Sequence, residues 1–219
     1  MTQESSRIVT TNQEGIHEDL IVTLVKHLAT VYNKPIATHS QKAFDDCCLK
    51  VESIDRAIIL DSGCGIGQST KLLADAHPEA WVIGVDQSEH RLGKQPHDIP
   101  ENCLFVRADL IDFWRLAIAK RWQLMKHFIL YPNPWPKAKH FKRRWHAHPV
   151  FPTILNLGGE LTLRSNWDIY VLEFATILDY LGYATRDIQS IMPNEYMTPF
   201  EKKYFESGQE LYELRAEIA

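Results

Sequence analysis

A short apolar run, AIILD at 57–61, ends in an acid and passes straight into D-S-G-C-G-I-G, with glycines at 63, 65 and 67, before a segment of helical spacing begins. That junction constrains the fold more than anything else in the chain. A strand that turns at once into a helix, through a loop without side chains at alternate positions, describes the opening unit of an α/β sheet whose backbone comes close to a ligand. The alternation continues downstream. Strands are expected at 57–61, 81–86, 103–107, 126–131 and 160–165, with others near 183–190 and 210–217, and helical patterns lie between them at about 67–76, 88–94, 110–122, 148–157 and 167–181. This order predicts a doubly wound, mostly parallel α/β sheet of Rossmann-like type. Ahead of it, Ile16, Leu20, Leu24 and Leu28 fall at near-helical spacing, so an N-terminal helix over 16–31 and a loop through 34–45 are expected.

The chain has 219 residues and no internal repeat, low-complexity tract or linker, which predicts one domain over 1–219 with a helical extension at 1–54 and a catalytic core at 55–219. The amino end, MTQESSRIVTTNQEG, lacks an apolar signal region, and no stretch has the eighteen or so apolar residues of a membrane helix. A soluble cytoplasmic protein without membrane contact is the expectation. Cys47, Cys48, Cys64 and Cys103 show neither metal-ligand spacing nor a disulfide framework, so ordinary reduced thiols and no metal are expected. His140, His146 and His148 lack a partnered cysteine or acid pattern and read as surface or RNA-facing histidines.

The glycine loop spaces Gly63, Gly65 and Gly67 as G-x-G-x-G, which departs from the dinucleotide fingerprint G-x-G-x-x-G. Asp61, before the first glycine, suits a ligand with a cationic amino-acid end. Asp86 closes the second strand, placed to accept ribose hydroxyls, and Asp109, in RADL, ends the third, where it can receive an adenine amino group. Together they describe a cleft for adenosine bearing a positive substituent, and S-adenosylmethionine meets that description. The alternative is structural: tight βα turns for the glycines and helix N-caps for the aspartates. A nicotinamide dehydrogenase is the runner-up, weakened because no tyrosine has a lysine four positions later.

Net charge is only −4, yet no Asp or Glu occurs from Phe113 to Gly159, a window holding Lys137, Lys139, Lys142, Arg143 and Arg144. The strip follows YPNPWP, in which three prolines stiffen a turn around Asn133 and Trp135. A fourth strand ending at Tyr131 would bring Asn133 to the reactive end of the cofactor, as a catalytic and cofactor-touching residue. Trp135 offers a face for a nucleobase and the strip offers cations for phosphates. A solvated charge run on a Pro-rich loop is the plain alternative.

DSGCGIGQSTKLLADAHPEAWVIGVDQSEHRL, PNPWPKAKHFKRRW, GGELTLRSNW and TPFEKK resemble the bacterial tRNA (guanine-N7)-methyltransferase family over about 55–215. The resemblance implies a class I methyltransferase sheet of seven strands with the last antiparallel, and methylation of a tRNA guanine. It makes Asp61, Asp86 and Asp109 cofactor-binding acids, and Lys137, Asn166 and Thr198 to Glu201 substrate-contacting positions; a plain T-x-x-E capping box is the other reading of the last segment. The family pattern has P-D-P-W and T-D-W where this chain has Asn133 and Asn166. A carboxylate accepts from both guanine N1–H and N2–H₂, whereas an amide accepts at one atom and donates at the other. Methylation of an exocyclic base amine, as in N-P-P-Y/F turns, and a catalytically weak paralogue that binds RNA or cofactor are therefore alternative readings.

Overall fold

The computed structural model of the chain describes residues 6–218. Its contacts divide into two compact units: one formed by Asn33–Leu130 and Thr153–Leu161, the other by the residues up to Tyr32, Tyr131–Pro152 and Thr162–Glu217.

The first unit holds β1 (Ile58–Ser62), β2 (Trp81–Asp86), β3 (Cys103–Arg107) and β4 (Leu124–Leu130), in the spatial order β3-β2-β1-β4. All three pairings are parallel, with Asp61 opposite Gly84 and Asp86 opposite Arg107. Every residue of β1 and β2 is buried, as continuous apolar runs in a sheet covered on both faces require. The chain steps outward from β1 to β3 and then returns to the other side of β1, so the sheet has its topological switch point between β1 and β4. Ligands bind in such folds at the carboxyl ends of the strands beside that point.

Helices α3 (Gln68–Ala76), α4 (Glu89–Leu92) and α5 (Leu110–Ala119) connect these strands. One expectation is overturned here. The loop predicted through 34–45 contains the start of α2, Thr38–Val51, which packs on α5 and β3. Its apolar residues Phe44, Cys47, Cys48 and Val51 are buried on one face, but only after interrupting polar residues that mask the period. Phe44 meets the rings of Phe113 and Trp122 at 5.1 Å each.

In the second unit α1 spans Leu20–Leu28, and α7 spans Asp168–Tyr180. Between them in sequence lie two 3-10 turns at Ala138–Arg143 and Trp145–Ala147. Strand β8 (Tyr212–Ile218) pairs antiparallel with β6 (Ala184–Thr185) and β7 (Gln189–Ser190), so the single strand expected near 183–190 is two short ones. Helix α6 (Phe151–Asn156) and β5 (Gly159–Ser165) each contribute residues to both units. Helix α8 covers Pro199–Glu206. No helix among the described residues is long and apolar enough to cross a membrane.

Candidate cofactor site and basic loop

The first unit gathers the three acids at its strand ends. Asp61 is the fourth residue of β1 and only 1% exposed, and its Oδ2 accepts the hydroxyls of Ser69 at 2.6 Å and Thr70 at 2.7 Å from α3. Burial pushes its pKa up to about 6; the two hydroxyl bonds offset part of that, and the charge of Asp86 adds to the rise. A buried carboxylate held this way gains from a cation brought beside it.

Asp86 ends β2, with Oδ2 accepting the Gly65 N–H at 3.0 Å and Oδ1 accepting the Ser88 N–H at 2.8 Å. Arg91 Nη2 also reaches Oδ1, at 3.0 Å. Gly65, Ser88 and Arg91 thus each take up an acceptor position on this carboxylate. Asp109 lies two residues beyond β3 and caps α5, accepting the N–H groups of Ile111 at 2.8 Å and Asp112 at 3.4 Å. It thus performs the capping role that its position before a helix allowed.

All three loop glycines have positive φ, at 84°, 61° and 79° for Gly63, Gly65 and Gly67. Their surroundings differ. A Cβ at Gly65 would meet nothing within 4 Å and one at Gly63 only Leu110, at 3.9 Å, whereas at Gly67 it would lie 2.3 Å from the Phe105 ring. Gly63 and Gly65 border open space that a ligand can use, and Gly67 is required by packing. The open backbone, the buried anion at Asp61 and the carboxylate of Asp86 at the end of β2 fit an adenosine carrying an ammonium group.

In the second unit the basic loop is built on strain. Tyr131 and Trp135 have φ of 52° and 45°, left-handed conformations that cost a non-glycine residue roughly 1–2 kcal/mol each. They flank the exposed Asn133, whose Oδ1 accepts the Trp135 N–H at 3.3 Å. Lys137, Lys139, Lys142 and Arg143 are exposed, and the Arg143 guanidinium stacks 4.7 Å from the Trp135 ring.

Arg144 departs from the expectation. It is 0% exposed, donating from Nη1 to Glu173 at 2.6 Å and from Nη2 to Gln13 at 2.9 Å, while Nε and Nη2 reach the Trp135 carbonyl at 3.3 and 3.2 Å. A guanidinium paired with a buried carboxylate cannot also meet RNA, because removing either partner leaves an uncompensated buried charge costing about 3–5 kcal/mol. His146 is corrected likewise: fully buried, it bonds the same Glu173 oxygen through Nε2 at 2.7 Å. Burial holds the imidazole below its ordinary range, against the pull of Glu173. Burial alone would raise Glu173, but the His146 and Arg144 bonds outweigh it and bring the carboxyl down to about 2.

Thr198 and Glu201 are corrected too. The Thr198 hydroxyl caps α8 by accepting the Glu201 N–H at 3.0 Å, and Glu201, 0% exposed, is held by Arg164 and the Tyr131 hydroxyl at 2.7 and 2.8 Å and by the Met197 N–H at 2.6 Å. Neither is at the surface to meet a substrate. Asn166 donates from Nδ2 to Gln209 at 2.8 Å. The residue that sequence reasoning missed is Glu173. A charge inside the apolar run VLEFATIL of α7 was the available signal, since a buried acid needs a buried partner. No group of His, Cys, Asp and Glu among the described residues could hold a metal.

A parallel sheet with acids at successive strand ends beside an open glycine loop defines a methyltransferase of class I fold, the S-adenosylmethionine-dependent type. Solved structures agree on the fold. The 16S rRNA methyltransferase KamB aligns with a TM-score of 0.55 at 14% identity, over 85% of this chain and 95% of that one. The antibiotic-resistance methyltransferase Kmr aligns at 0.53 and 19%, over 80% and 92%. Residues 55–214 match the Methyltransf_4 family model, described as "Putative methyltransferase", and the chain belongs to that family. Among curated relatives, the tRNA (guanine-N(7)-)-methyltransferase of Nitrosospira multiformis is 25% identical over 71% of this chain and 72% of its own. Those of Treponema pallidum and Bordetella pertussis are 27% and 30% identical, the matches covering 72% and 55% of this chain and 65% and 50% of theirs.

Proposed function

We propose that the protein transfers the methyl group of S-adenosylmethionine to guanine N7 of a tRNA. The observation that carries the reading is the loop from Asn133 to Arg143, in which a strained turn presents an amide and an aromatic ring and four exposed cations follow with no acid among them. The names of the curated relatives support the same substrate.

The cofactor supplies an electrophilic methyl on a sulfonium. Asp61 attracts its ammonium, Gly63 and Gly65 let its amino-acid end approach the backbone, and Asp86 accepts one ribose hydroxyl at Oδ2 and a second once Arg91, which is 41% exposed, gives way. Asp109, with one oxygen capping α5, presents the other to the adenine amino group. Guanine N7 has a free lone pair, so its attack needs no prior proton removal and no general base. The chain has to align base and methyl and exclude water, and positioning of this kind is worth several kcal/mol. Asn133 holds the base edge, Trp135 stacks, and Lys137, Lys139, Lys142 and Arg143 hold phosphates. Asn166, part-buried beside Gln209, offers its carbonyl oxygen to the base.

The test is incubation with bulk tRNA and methyl-labelled cofactor, followed by digestion and identification of the labelled nucleoside. Label in 7-methylguanosine supports the reading. Label in an exocyclic amine, or none despite cofactor binding, overturns it in favour of the amine methyltransferase or the weak paralogue.

A further inference from the structure

We propose that the N-terminal segment Thr11–His17 is a strap that sets the shape of the basic loop, with Thr11, Asn12 and Gln13 as positioning residues for RNA; the inference rests on the tRNA reading above. The segment follows the loop contact by contact. Thr11 Oγ1 donates to the Pro136 carbonyl at 2.7 Å and accepts the Gln13 N–H at 2.9 Å. Asn12 Oδ1 accepts the Ala138 N–H at 3.1 Å. These two bonds fall on either side of the exposed Lys137.

Gln13 then inserts its amide into the buried charge cluster. Its Oε1 accepts from Arg144 at 2.9 Å, and its Nε2 donates to Glu173 and to the Gly15 carbonyl at 2.6 Å each. Farther along, the His17 N–H donates to Glu173 at 2.9 Å, and its ring stacks on Phe141 with centroids 4.0 Å apart and planes 11° off parallel. Both ends of the cationic strip are therefore fastened by one segment more than a hundred residues away in sequence.

The loop needs such an outside support. Pro132, Pro134 and Pro136 supply no backbone donors, the following 3-10 turn is a weakly self-sustaining form, and Lys137, Lys139, Lys142 and Arg143 repel one another. Arg144, anchored by Gln13 and Glu173, in turn grips the carbonyl of the strained Trp135. Thr11 and Asn12 thus hold the start of the cationic strip, and Gln13, through Arg144, holds the carbonyl of the turn that carries Asn133.

The experiment measures tRNA affinity, the split of KM and kcat for tRNA, and cofactor affinity by calorimetry in Thr11→Val and Asn12→Leu. The altered bonds lie at the surface, Thr11→Val losing the one from the Gln13 N–H as well as the one to Pro136, so the fold tolerates their loss. Each variant should weaken tRNA binding and raise its KM roughly three- to tenfold, the loss of one ordinary hydrogen bond to the loop. Cofactor affinity and kcat at saturating tRNA should stay within about twofold, the Ala138 amide should exchange faster in Asn12→Leu, and Thr11→Ser should behave as the parent. Unchanged tRNA affinity in both variants overturns the strap, as does a parallel loss of cofactor binding or a Thr11→Ser variant as weak as Thr11→Val. A parent protein that does not bind tRNA at low salt overturns the tRNA reading itself, and the strap's role with it.

Discussion

Replacing Asp61 by asparagine should make the protein more stable and a poorer cofactor binder, and the size of the trade is set by burial. The carboxyl is 1% exposed, and burial first, then the charge of Asp86, raises its pKa from 3.8 to about 6 despite the Ser69 and Thr70 hydroxyls. That difference corresponds to about 3 kcal/mol. Because the folded-state value lies above the unfolded one, the folded chain binds the extra proton between about pH 4 and 6. Stability contributed by the protonated carboxyl is lost as pH rises through this window, and above it the buried charge is carried at full cost. Asp61→Asn removes the charge and keeps an oxygen for the two hydroxyls. At pH 8 without cofactor, the variant should be more stable by up to about 3 kcal/mol, or about 6–12 °C in Tm for a chain of this size. At pH 3.5 the two should melt together. Cofactor affinity should fall about ten- to a hundredfold, since a hydrogen bond to a charged group contributes about 1.5–3 kcal/mol. Saturating cofactor should narrow the gap in Tm by stabilising the parent more. Scanning calorimetry across pH checks all of this. A variant that melts below the parent at pH 8, or a difference that does not change with pH, refutes the reasoning.

Asp86→Ala should weaken S-adenosylmethionine binding by an order of magnitude or more, through loss of the ribose acceptor and of the anchor for the Gly65 N–H; calorimetry giving parent-like affinity, or tighter binding of NAD, counts against the site. Neutralising Lys137, Lys139 and Arg143 together should flatten the salt dependence of tRNA binding by about two to three in log–log slope and leave cofactor affinity unchanged, while an unaltered slope returns the strip to a solvated face. Asn133→Ala should lower single-turnover rates by roughly ten- to a hundredfold, a loss of about 1.4–2.7 kcal/mol in the barrier. Asn133→Asp should be at least as fast as the parent when guanine N7 is the target, because a carboxylate accepts from both donors of the base edge; a rate near that of the alanine variant points to an exocyclic amine instead.

The sequence determined by itself those features that depend on local order. An apolar strand, an acid and a glycine-rich turn are adjacent in the chain, so the places of Asp61 and Asp86 at the ends of strands and of Gly63 and Gly65 in the turn could be read without knowing what surrounds them, and parallel pairing follows from the alternation of strands and helices. The polar interruptions of α2 hid its buried face, because Phe44, Cys47, Cys48 and Val51 show a helical stripe only once α5 is there to cover it. The fate of each charge was likewise invisible. Arg143 and Arg144 are neighbours of the same type, yet one stacks at the surface and the other is sealed against Glu173, a partner 29 residues away. Thr198 to Glu201 read as a substrate segment and nearly as well as a helix cap, and the tertiary structure forms the cap and encloses Glu201 with Arg164 and Tyr131. Burial and pairing are sums over residues distant in sequence, and a charge takes its meaning from whichever partner the tertiary structure brings to within 3 Å.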